Sequence, residues 1–169
     1  MASFTDTDMS RLDWRLMQNG PVALYFRAQI LDEDLHWLKE HGYRLFDFDC
    51  STWATRDDFY SAVYVALGFP EPVKGNLNGL NDYLSQVEVP KESGCALAFR
   101  RFDLLATDDP EFAHGILDTI ADNSRRKMLF GERFFAMIQS NDAMIRFDLV
   151  GAQPATWKHR EWLNSKRGL

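Results

Sequence analysis

The chain of 169 residues contains only two cysteines, Cys50 and Cys95, and they are not arranged as a C-x-x-C pair. Each lies in an apolar, strand-like setting, "FDFDCSTW" and "SGCALAF". They read as two reduced, buried thiols of a cytosolic protein. No apolar stretch approaches the roughly 18 residues of a membrane span. The start "MASFTDTDMSRLDW" carries early acids and has no apolar centre, so it does not read as a secretory signal. The expectation is a soluble, cytoplasmic protein without a membrane partner.

Catalytic and cofactor signatures are missing as well. There is no G-x-S-x-G, no phosphate loop ending in Lys-Ser or Lys-Thr, and no G-x-G-x-x-G. His36 and His41 are five residues apart, which does not put two ligands on one helix face, and no cluster of Cys or acid completes a zinc set. The expectation is therefore no enzyme, no metal and no cofactor. Repeats and low-complexity segments are also lacking.

What is present is apolar and acidic. Hydrophobic residues make up 46% and aromatics 14%, with 13 Phe and 5 Trp, enough for one domain with a substantial core. The formal net charge of -6 disfavours direct nucleic-acid binding and favours basic partners.

Strands and helices alternate along the chain. "VALYFRAQI" reads as a buried strand, "LDEDLHWLKEHGY" as an amphipathic helix with Leu31, Leu35 and Leu38 on one face, and "YRLFDFD" as a second strand. Thr55 followed by Asp58 forms a capping box for "RDDFYSAVYVAL", and Gly68 ends that helix. Asn76 then caps a short helix in which Leu77, Leu80 and Leu84 face the core while Asn78, Asn81 and Asp82 point elsewhere. "CALAFRRF" reads as a third strand, and Asp109 with Pro110 starts a helix with Phe112, Ile116 and Ile120 inward. "RFFAMIQ" and "MIRFDLV", joined at "SNDA", read as an antiparallel pair. The order β-α-β-α-α-β-α-β-β predicts an α/β fold with a mainly parallel sheet, packed helices and an antiparallel edge.

Two further groups bear on function. Asp47 and Asp49 share a strand face; they read as a solvated strand edge, with a metal or acid-base pair as the alternative. The tail "WKHREWLNSKRGL" is locally basic and reads as docked by Trp157 and Trp162, with RNA stacking as the alternative.

The stretch "LFDFDCSTWATRDDFYSAVYVALGFPEPVKGNLNGLNDYLSQV" resembles the barstar-like family of intracellular ribonuclease inhibitors. The likeness lies in the order of features. A strand ends in an acid, a polar turn follows, "DDFY" opens a helix, and Phe69-Pro70 punctuates it; five residues later come Asn76-Leu77, Leu80, Asp82 and Leu84. It is clear over about residues 44 to 100 and continues in layout to 139.

The resemblance implies one domain, 1-169, with a barstar-like core over 44-139. An N-terminal strand-helix over 1-43 and a C-terminal extension with a β-hairpin over 140-169 enlarge it. It also implies an inhibitor of the immunity or antitoxin type. Its loop and helix, through Pro72, Val73, Lys74, Gly75, Asn76, Asn78, Asn81 and Asp82, would occlude the basic active site of a ribonuclease or other toxin. Asp82 matches the family carboxylate that stands in for an RNA phosphate. The family's second interfacial acid is Asn78 here, its Tyr-Tyr-Gly loop is Pro72, Val73 and Lys74 with glycine displaced to Gly75, and the aromatic before the key acid is Asn81. The alternative is a barstar-fold protein-binding scaffold without ribonuclease inhibition.

Overall fold

The structure is a computed structural model that describes residues 6 to 70 and 75 to 169. Five strands form one sheet: β1 (Val22–Tyr25), β2 (Arg44–Asp49), β3 (Cys95–Arg100), β4 (Phe134–Gln139) and β5 (Thr156–Trp157), in the order β2-β3-β4-β1-β5. Every pairing is parallel, with Arg44 opposite Cys95, Cys95 opposite Phe134, Val22 opposite Ala136 and Ala23 opposite Thr156. The central strands "CALAFR" and "FFAMIQ" are almost continuously apolar, as strands covered on both faces must be. β2, at the edge, alternates and keeps Arg44, Asp47 and Asp49 exposed.

Six α-helices among the described residues cover the sheet. α1 (Leu12–Met17) and α2 (Ala28–Glu40) pack on one face, where Leu16, Leu31 and Leu38 meet Tyr25, Ala98 and Met137. α3 (Arg56–Leu67), α4 (Leu77–Gln86), α5 (Phe102–Asp108) and α6 (Pro110–Met128) contribute to the larger core on the other face, where Phe59, Leu84, Phe102 and Ile116 meet Leu97, Phe99 and Ile138. The α/β class and the parallel sheet agree with the sequence reading.

The expected C-terminal β-hairpin does not form. β4 is flanked by β3 and β1, so neither of its edges is open to an antiparallel partner. The "SNDA" turn is present: Ser140 Oγ accepts from Asp142 N–H, and Asp142 Oδ1 accepts from Met144 N–H. The run after it crosses the large core instead, burying Ile145 and Val150 and setting Phe147 against Phe102 with ring centroids 5.9 Å apart. The chain then returns as β5, parallel to β1.

Two element boundaries also differ. β3 ends at Arg100, because Arg101 turns into a left-handed conformation (φ 54°) and α5 begins at the next residue. Gln139 Oε1 accepts the Arg101 N–H there, so the turn depends on a residue far along the chain. β1 ends at Tyr25 and α2 starts at Ala28, so "FRAQI" is not strand. Arg27 does not cap α2 through its side chain; the fully buried Glu161 carboxylate accepts both the Phe26 and the Arg27 N–H at 2.9 Å.

The tail is also held differently from the expectation. Trp157 is half-buried beneath the Arg167 guanidinium, 4.3 Å from the ring centroid, but Trp162 is 59% exposed. Charged groups replace the second tryptophan as anchors. Lys158 Nζ lies 2.6 Å from Asp34 Oδ2, which also accepts from the Tyr25 hydroxyl, and Arg167 donates to the carbonyls of Ala143, Glu161 and Trp162.

A buried acid fixes α1 to the core. Asp13 is fully buried and accepts from Arg11 Nε and Nη2, the Trp14 N–H and the Tyr43 hydroxyl. Burial alone would raise its pKa, but these donors override that and hold it below the usual carboxylate value.

An acid whose folded pKa is depressed stabilises the fold above its unfolded value, near 4, and loses that contribution as pH falls through the folded value. Asp13→Asn is therefore expected to cost about 1.5–3 kcal/mol at neutral pH, and urea unfolding should show its deficit shrinking below about pH 4. Glu161→Gln is expected to cost about 1–3 kcal/mol, because one backbone N–H of the β1–α2 turn loses its acceptor in a buried place. Denaturant midpoints measure that cost, and hydrogen exchange should report faster opening at Phe26 and Arg27.

Candidate partner-binding surface

The surface begins where α3 stops. The Thr55 hydroxyl accepts from the Asp58 N–H, and the Asp58 carboxylate accepts from the Thr55 N–H, completing the expected capping box at the start of that helix. At its end Gly68, with φ 82°, turns the chain away. Phe69 then stacks on Tyr83 of α4, with centroids 4.5 Å apart, and Tyr83 meets Tyr64 of α3 edge-on at 4.6 Å. Pro72, Val73 and Lys74 lie outside the described residues.

The chain re-enters at Gly75, whose backbone passes so close to Tyr60 that an added Cβ would sit 2.1 Å from the ring. Glycine is required there for space. Asn76 caps α4 as expected, with Oδ1 accepting the Gly79 N–H at 2.8 Å. Leu80 and Leu84 are buried, and half-buried Leu77 fits over Gly115 of α6, where a Cβ would meet its Cδ1 at 2.5 Å. The leucine periodicity thus marks the buried side of α4.

The outward side carries Asn78, Asp82, Ser85 and Gln86, all exposed. Asn81 does not belong with them. It is half-buried, and its Oδ1 accepts from Asn123 Nδ2 at 3.0 Å and from Arg126 Nη1 at 3.4 Å, tying α4 to α6. Spacing within α4 carries no signal of these two partners, which arrive from a helix more than forty residues along the chain. The Asp82 backbone carbonyl accepts from the Ser85 hydroxyl and from Gln86 Nε2, while its carboxylate has no hydrogen-bond or ion-pair partner among the described residues. Asp82 is the sixth residue of a ten-residue helix, beyond the first turn where the helix dipole would stabilise it. Beneath this face the buried Tyr64 hydroxyl has its pKa raised to about 12, first by desolvation and then by Tyr83 and Asp82.

Two acids farther along α6 are committed elsewhere. Asp118 accepts the Gly151 N–H at 2.7 Å, and Asp122 faces Arg125 at 3.5 Å.

Asp47 and Asp49 do not converge. Asp47 takes Nε and Nη2 of Arg100, each at 2.8 Å, and that guanidinium also reaches Asp32. Asp49 accepts from the N–H and hydroxyl of Ser51, which hold its pKa below the usual carboxylate value. Among the described residues no group of three or more His, Cys, Asp and Glu is placed to hold a metal ion. Both cysteines are free and buried.

Asn76→Ala is expected to destabilise the protein by about 0.5–2 kcal/mol through loss of the cap. Thermal or urea unfolding measures it, and Asn76→Asp should retain most of the stability.

Comparison with known proteins adds one finding. A family model described as Barstar (barnase inhibitor) matches residues 43–139, more than half of the chain, including α3, α4 and the connection between them. A search of curated proteins gave no match. The chain belongs to the Barstar (barnase inhibitor) family.

Proposed function

We propose that this protein binds and inhibits a ribonuclease as a cytoplasmic immunity or antitoxin partner, using the α3–α4 connection and the outward face of α4 to occlude a basic active site. The observation that carries the reading is the Asp82 carboxylate, exposed on a packed helix and without a partner among the described residues. Leu77, Leu80 and Leu84 anchor that helix, so the backbone that carries Asp82 is already ordered before binding. A carboxylate presented this way can accept charge-assisted hydrogen bonds from arginine or histidine in a phosphate-binding site. The net charge of -6 favours encounter with a basic partner. Family membership supports a ribonuclease as the target class. Pro72, Val73, Lys74, Gly75 and Asn76 form the approach to the helix, and Asn78 adds a neutral hydrogen-bonding group one turn before Asp82.

A protein-binding scaffold without ribonuclease inhibition is the second reading, and Asn81 favours it. That side chain is engaged with Asn123 and Arg126 of α6 and is thereby withdrawn from the face that would meet a ribonuclease.

The test is co-purification with candidate cytotoxic ribonucleases, followed by inhibition assays. Asp82→Ala is expected to weaken inhibition roughly ten- to a hundredfold, with stability unchanged within about 0.5 kcal/mol because the site is exposed. Association should also slow as salt is raised. Unchanged inhibition by the Asp82 variant overturns the mechanism. A partner without ribonuclease activity, captured on another surface, supports the scaffold.

A further inference from the structure

Residues 142 to 148 lie beyond the family match, and they do more than cover the core. Together with the α5–α6 corner they enclose a groove of about 760 Å³, within the size range of ligand sites. Its apolar lining comes from Ala106 and Pro110 on one side and from Ile145 and Phe147 on the other. Met144, also in the lining, is 51% exposed, and neighbouring Leu149 is 60% exposed. Methionine adapts readily to different occupants.

The charges around the groove are unequal. Glu111, Asp142 and Asp148 line it, opposed by Arg146 alone. Asp142 is partly used by its turn, through the Met144 N–H. The carboxylates of Glu111 and Asp148 have no hydrogen-bond or ion-pair partner among the described residues. His114 adds no free polar contact of comparable strength, because its Nε2 lies 3.2 Å from the Leu149 carbonyl oxygen.

We infer that this groove is a docking site for a basic, amphipathic segment of a partner protein, with apolar side chains on the Ile145–Phe147 floor and lysines or arginines against Glu111 and Asp148. The excess of acid repels nucleic acid. The basic tail of a second copy is a poor occupant, since three of its four Lys and Arg side chains are internally engaged, Lys158 with Asp34, Arg160 with Glu33 and Arg167 with backbone carbonyls, leaving Lys166 as a lone cation for two acids. A segment with apolar residues at i, i+3, i+4 and i+7 and basic residues between them matches both the apolar lining and the rim. The inference does not depend on the proposed role of α4.

The test uses the full chain and no ribonuclease. The probe is a fluorescent 14-residue peptide of leucine and lysine, with leucines at i, i+3, i+4 and i+7, read by anisotropy at physiological salt; its control has glutamate in place of lysine. Glu111→Lys with Asp148→Lys is expected to weaken binding by about tenfold or more. Met144→Ser with Leu149→Ser should also weaken it, and all four positions are exposed. Glu40→Lys with Glu88→Lys changes the net charge equally at exposed sites away from the groove, and it should leave affinity within about twofold. Equal weakening by both charge-reversed pairs, equal binding of the glutamate peptide, or no effect of either groove pair overturns the proposal.

Discussion

A parallel sheet needs cover on both faces, and this requirement organises the molecule. β4 is followed in the sheet by β1 and then β5, so segments from both ends of the chain continue the sheet beyond the strands matched by the family. β1 leads into α2, which joins α1 over the second face, and Asp13 ties α1 to Tyr43 at the start of the family match. The tail then secures the turn after β1 through Glu161. The two extensions therefore depend on each other: among the described residues β5 pairs with β1 alone, and the β1–α2 turn relies on a carboxylate from beyond β5.

Features determined within a few residues were legible in the sequence. Thr55 with Asp58, Asn76, and Asp109 with Pro110 mark helix starts because the cap and the groups it satisfies are adjacent in the chain. The segments that differ from expectation depend on distant partners. "FRAQI" has strand-like composition, but Glu161 stabilises a helix start there. "MIRFDLV" alternates like a strand, but occupied edges on both sides of β4 send it across the core. The short α5 follows a left-handed Arg101 whose N–H is satisfied by Gln139, and nothing near Arg101 signals that acceptor.

The candidate surface divides in the same way. Helical spacing separates the three leucines from the outward residues and places Asn78 and Asp82 on one exposed face. It does not separate Asn81 from them, because Asn123 and Arg126 arrive from α6. Nor does local sequence show that Asp47 and Asp49 are drawn to different partners, since the Arg100 guanidinium comes from the neighbouring strand.

The stack of Phe69 on Tyr83 and the close passage of Gly75 over Tyr60 fix the chain on either side of residues 71 to 74. Leu77 over Gly115, buried Leu80 and Leu84, and the bonds of Asn81 to Asn123 and Arg126 hold α4 in place from its inner side. The helix therefore behaves as a fixed post whose outer paint can change: none of those contacts uses the side chains of Asn78 or Asp82, so exchanging either leaves the mounting intact.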